Sequence, residues 1–86
     1  MTRPIVLVEW KDAWSNDRWR PESEVRADGD PVRCVSVGIE LKRDKKSIVL
    51  YGSYSPESAI GLMANVQIIP ASAVLRRVVL HQIKAT

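Results

Sequence analysis

The clearest pattern of hydrophobic and polar positions runs from Val32 to Tyr54. Val35, Val37, Ile39 and Leu41 fall on one side, and Cys34, Ser36, Gly38 and Glu40 on the other. Alternation with period two marks a strand with one buried side. The valine side is the natural core side, so Cys34, on the face opposite Val35 and Val37, need not be in the main core. A second apolar run, Ile48-Val49-Leu50-Tyr51, follows a charged tip, Lys42-Arg43-Asp44-Lys45-Lys46. Together they predict a long central hairpin, with Gly38 mid-strand where a bend or bulge is easiest.

On the N-terminal side, Pro4 precedes a second alternating stretch. Val6, Val8, Trp10, Asp12 and Trp14 share one face, while Ile5, Leu7, Glu9 and Lys11 share the other. A strand running to about Lys11 is expected, followed by a connection from Asp12 to Pro31 that ends in the turn residues Asp28-Gly29-Asp30-Pro31. Such a connection is long for a compact domain, and long loops carry function or are ordered by their own side chains. After the hairpin, Ser55 to Met63 reads as a second irregular connection. Asn65 to Ile69 reads as a short strand ended by Pro70. Ala71-Ser72-Ala73 has room for one tight helical turn, and Val74 to Ile83 forms the last strand. Arg76 shares a face with Val74, Val78 and Leu80 there, which suggests a twist, a bulge or an edge position. With no long helix to cover a flat sheet, the strands must curl on themselves. The expected fold is all-β, a single domain over residues 1–86. Its architecture is a small five-stranded SH3-like or Sm-like barrel with a one-turn helix before the last strand.

Composition narrows the setting. A chain of 86 residues has room for one small core. A single cysteine excludes an internal disulfide and fits a reducing compartment. Ile5 to Val8 is too short an apolar run for a secretory signal, and no stretch approaches a membrane span. A soluble, cytoplasmic protein without membrane partners is the expectation. Thirteen Lys and Arg stand against ten Asp and Glu, a net charge of +3. That excess permits an anionic partner without demanding one.

Two resemblances follow from particular residues. Gly38, Asp44, Ile48-Val49-Leu50 and Val66 to Ile69, followed by a turn and a final strand, resemble the Sm-like small barrels. Those proteins bind RNA as rings and carry a Gly and an Asp at this spacing around their central hairpin. Here Ile69-Pro70 stands where that family has Arg-Gly in the fourth strand. A wider similarity covers nearly the whole chain: Trp10-Lys11-Asp12-Ala13, Trp19, Cys34-Val35-Ser36-Val37-Gly38, Ile48-Val49-Leu50 and Ile68-Ile69-Pro70. These look like small phage and prophage proteins with W-x-D-A, C-x-S-x-G and I-P-x-S motifs. The second similarity implies a phage setting and the same barrel, and brings no activity with it.

Three tryptophans, Trp10, Trp14 and Trp19, lie within ten residues of one another. Exposed indoles on a loop can grip a base or a peptide; equally, they can fill a core that has no phenylalanine. Trp10, beside Val6 and Val8, fits the core, and for Trp14 and Trp19 both readings stand. Asp12 could accept a hydrogen bond from a ligand or cap the following turn. Lys42, Arg43, Lys45 and Lys46 at the tip, with Arg76 and Arg77, could follow a phosphate backbone. Charged hairpin tips and edge strands also serve solubility. Cys34 and His81 are the sole candidates for nucleophile and base, without a third orienting group. Nor does the chain hold a set of metal ligands. The function expected is therefore a non-catalytic binding module, without metal or cofactor, that captures a host protein, a phage protein or a small molecule. Its site would be Trp10, Asp12, Trp14 and Trp19. The alternative is an RNA or single-stranded nucleic-acid binder using the basic residues. Either could form a homo-oligomer, with the final strand as the contact.

Overall fold

The structure, a computed structural model, describes residues 2–12, 19–27, 29, 31–55, 57 and 61–84. The strands are β1 (Thr2–Asp12), β2 (Val32–Arg43), β3 (Ser47–Tyr51), β4 (Ser53–Ser55), β5 (Leu62–Ala64), β6 (Gln67–Pro70) and β7 (Val74–Lys84). A helix α1 (Glu22–Ala27) lies between β1 and β2, and a 3-10 turn (Ala71–Ala73) links β6 to β7. The main sheet has five strands in the order β6-β3-β2-β1-β7, all pairs antiparallel. It is not closed: β6 and β7 are its two edges. β4 and β5 form a separate two-stranded ribbon that overlaps the two ends of the Ser55–Met63 stretch expected to be irregular.

The mostly β fold and the short helical turn before the last strand agree with the sequence reading. The core face of β2 does not. Val6 pairs with Gly38 and Val8 with Ser36, and cross-strand partners share a face. The core cluster is Val6, Val8, Ile48, Leu50 and Ile69, with Trp10 and Val74 packed against it. It therefore lies on the Cys34-Ser36-Gly38-Glu40 side of β2. Val35 and Val37 lie on the outer side, 57% and 58% exposed. Curvature explains the reversal. β1 and β3 are separated by β2, yet their side chains meet in one cluster, so the intervening strand must offer small residues on the inner side. Gly38 meets that need, since a Cβ there would stand 3.1 Å from the Leu50 Cβ and 3.2 Å from the Tyr51 carbonyl oxygen.

Bulges supply the bending. The register steps past Leu41 between Glu40↔Leu50 and Lys42↔Val49. It steps past Leu80 between Ile5↔His81 and Val6↔Val79, and past Leu75 between Glu9↔Arg76 and Trp10↔Val74. Each bulge adds a residue to one strand and increases the local twist. The break at Gly38 expected from the sequence is thus at Leu41 instead, while the irregularity of the last strand is found as expected. β3, paired on both sides, has Ile48, Val49, Leu50 and Tyr51 all buried.

Candidate functional site

The connection between β1 and β2 leaves the sheet where Asp12 pairs with Val32. Pro21 opens α1, its carbonyl accepting from the amides of Glu24 and Val25 at 3.1 and 3.2 Å. Glu22 and Glu24 stand in the first turn and Arg26 in the last, matching the helix dipole. Arg20–Glu24 and Glu22–Arg26 make i,i+4 pairs, each at 3.4 Å, the second of them exposed. The sequence reading missed this helix, although Pro followed by acidic residues was a usable start signal. No α1 residue is buried, and Trp19, just ahead of it, is fully exposed, with Val25 52% exposed.

The other aromatic candidates part company with Trp19. Trp10 is half-buried against the core, and its indole N–H donates to Ser36 Oγ at 3.0 Å. Asp12 is exposed at the end of β1, and Trp14 lies outside the described residues.

The basic candidates are largely engaged with carboxylates. Lys42 pairs with Asp44 at 3.6 Å, and Arg43 with Glu40 at 3.5 Å. Arg76 and Arg77 are neighbours in a strand and so point to opposite faces. Arg76 donates to Glu9 at 2.8 Å on the outer face, where Arg33 holds the same carboxylate at 3.0 Å. Arg77 donates to the buried Glu40 at 2.5 Å on the inner face. Lys45 and Lys46 remain exposed at the tip. Glu40 lies just beyond the Ile5↔Ile39 pair, near the opposite end of β1 from Asp12. At a rise of about 3.3 Å per residue, the lysine tip and the aromatic end are roughly 30 Å apart. A single small ligand cannot touch both.

Asp44 organises the tip. Its Oδ1 accepts the amides of Lys46 at 2.8 Å and Ser47 at 3.0 Å. Those two backbone bonds hold its carboxyl below the usual carboxylate range, with Lys42 adding to the effect. Glu9 is likewise lowered, first by its hydrogen bond to Arg76 and then by that to Arg33. Both groups bind protons less readily folded than unfolded, so the stability they add is complete above their ordinary pKa values of 3.8 and 4.5. It is lost as pH falls through the depressed folded values. Chemical denaturation at pH 7 and at pH 3 should therefore show a weaker fold at pH 3, and Glu9→Gln should reduce the difference.

Cys34 and His81 do not form a pair. Cys34 sits opposite Trp10 on the inner face and its thiol contacts the Val32 carbonyl at 3.7 Å. His81 sits opposite Ile5 on the outer face, five positions along β1. Among the described residues there is no cluster of three His, Cys, Asp or Glu side chains placed to hold a metal ion. Among them, too, no helix is long and apolar enough to cross a membrane. Neither protein-family profiles, nor curated proteins, nor solved structures give a match to this chain.

Proposed function

We propose that this chain is a non-catalytic binding module of phage type, a small barrel that captures a protein target through the arm between β1 and β2. The observation that carries the reading is the full exposure of Trp19 beside a helix with no buried residue. A helix of six residues has little stability of its own in water. An indole in solvent leaves a large apolar area unused, and tryptophan is enriched at the centres of binding interfaces. Docking on a target would bury Trp19 and Val25 and stabilise α1 at the same time. The barrel reading draws support from the strand order, in which the last strand returns beside the first and a 3-10 turn joins the two edge strands.

Capture from a lysate of the native host on the immobilised chain, followed by peptide and nucleotide analysis, tests the proposal. A retained protein should be lost with Trp19→Ala, while the stability of the chain changes by less than about 0.5 kcal/mol. Retention that is indifferent to Trp19→Ala would defeat the reading. So would a retained nucleic acid released by salt and by Lys45→Ala/Lys46→Ala, which would move the function to the hairpin tip.

A further inference from the structure

β1 and β2 run side by side from Asp12↔Val32 to Ile5↔Ile39 and then part. Beyond that pair β1 goes on with β7 alone, as far as Thr2↔Lys84. β2 goes on with β3 alone, past the Leu41 bulge to Arg43↔Ile48. A fork therefore opens inside the sheet, between two strands that are neighbours elsewhere, and bulges commonly end pairing in this way. The gap is a cleft of about 360 Å³, lined by Thr2 to Pro4 on one side and Glu40 to Arg43 on the other. Three cations, Arg3, Lys42 and Arg43, meet it against a single carboxylate. That carboxylate is already engaged, since Arg77 donates to Glu40 Oε2.

We propose that this fork binds the phosphate group of a small phosphate monoester, with Arg3 as its fixed receptor and Lys42 and Arg43 closing on it. Arg3 carries the argument. Every other described arginine stands within 3.5 Å of a carboxylate, and Arg3 alone among the described residues has no anionic partner. Its guanidinium is nonetheless held in place. Nη1 donates to the Tyr51 hydroxyl at 2.9 Å, and the group lies over that ring, 5.7 Å from its centroid. Tyr51 is 2% exposed, so the anchor is fixed by packing. A guanidinium has five N–H donors in a rigid fork, and one bond to Tyr51 leaves the others for a ligand. Lys42 is tied to Asp44 only by an exposed pair at 3.6 Å, which is worth little. Arg43 touches Glu40 at 3.5 Å as a charge, not through a hydrogen bond. A phosphate monoester, with nearly two negative charges and three acceptor oxygens, matches this set. A carboxylate would be satisfied by one guanidinium. The volume lies at the small end of ligand clefts, room for a phosphate and a short body against Leu41. This site is at the opposite end of β1 from the Trp19 arm, and neither proposal depends on the other.

Titration of the isotope-labelled full chain with glycerol phosphate, followed by amide chemical shifts, tests this. The amides of Arg3, Leu41, Lys42 and Arg43 should move, with a millimolar or tighter dissociation constant, while those of Trp19 and α1 stay in place. Acetate and uncharged glycerol should bind at least about tenfold more weakly. Arg3→Gln should weaken glycerol phosphate about tenfold or more, and Arg3→Lys should recover little, since a point charge lacks the fork. Because Arg3 also covers Tyr51, a second variant separates binding from folding. Lys42→Gln, at a side chain 61% exposed, should weaken binding severalfold with an unchanged urea midpoint. Lys45→Ala/Lys46→Ala should leave the affinity as it was. No shift at millimolar glycerol phosphate would overturn the proposal, as would equal affinity for acetate or an affinity indifferent to both Arg3→Gln and Lys42→Gln. A single-stranded oligonucleotide without terminal phosphates that moves the same amides at lower concentration would overturn it too, by making the fork part of a nucleic-acid track.

Discussion

Ile69→Ala should bring the chain close to unfolding, whereas Ile68→Ala next to it should pass almost unnoticed. Ile69 is fully buried, pairs with Ile48 and belongs to a core cluster of five buried residues. Removing a buried isoleucine side chain down to Cβ costs about 2–5 kcal/mol, the larger values where the surroundings cannot collapse into the space. Collapse is restricted here, because Pro70 and the 3-10 turn follow at once and fix the backbone. A chain of this length has a total stability of roughly 4–13 kcal/mol, so this one change removes a large share of it. Ile68 is 66% exposed on the outer side of β6, and its truncation should cost under about 0.5 kcal/mol. Urea denaturation of the two variants checks the inside-outside assignment directly. Equal midpoints for both would mean that β6 does not face the core as described.

The periodicity along β2 was legible, but its direction was not. Alternation tells which residues share a face, and both faces of β2 were separated correctly. Choosing the buried face by apolar content failed because a strongly curled sheet inverts that rule. On the inner side of a bend the backbone approaches its neighbours, and Ser36 and Gly38 fit where valines would not. The apolar side chains are then left outside. β3 was easier to read, since a strand covered on both faces carries apolar residues at every position. The connection from Asp12 to Pro31 divided in the same way. Its length and its tryptophans were visible, and Trp10, weighed both as a core and as a site residue, packs against the core. The helix at Glu22–Ala27 was not seen, because six residues give too little periodicity to register. Only its terminal signals, Pro21 and the acidic first turn, distinguish it from loop. The basic residues show the limit of composition most plainly. Arg76-Arg77 looks like one cationic patch in the sequence, but the strand sends one side chain to Glu9 and the other to Glu40.

The second large effect should come from that inner pair. Glu40→Gln is expected to destabilise the chain by about 3–5 kcal/mol, the cost of leaving one member of a buried ion pair without its counter-charge. Glu40 is 7% exposed and the Arg77 side chain 20%. The register puts Arg77 level with Val8 and Glu40 just beyond the Ile5↔Ile39 pair on the same inner face, with Val6 between them. The bond therefore crosses β1 and ties the edge strand β7 to the central hairpin. It is not a fully satisfied arrangement. Glu40 Oε1 and Arg77 Nε have no hydrogen-bond partner, and Arg43 approaches Oε1 at 3.5 Å as a charge only. A buried pair with polar atoms left over is a weak source of net stability, since an apolar replacement avoids the desolvation altogether. Arg77→Met alone should also be harmful, because it leaves the buried carboxylate with only the longer contact to Arg43. The combination Glu40→Leu/Arg77→Met should recover most of the loss. A thermal double-mutant cycle built on Glu40→Leu, Arg77→Met and their combination reads this as a large favourable coupling between the two positions. If instead the two single changes were mild and additive, the pair would have to be solvated, and β7 would be held by its ladder to β1 alone.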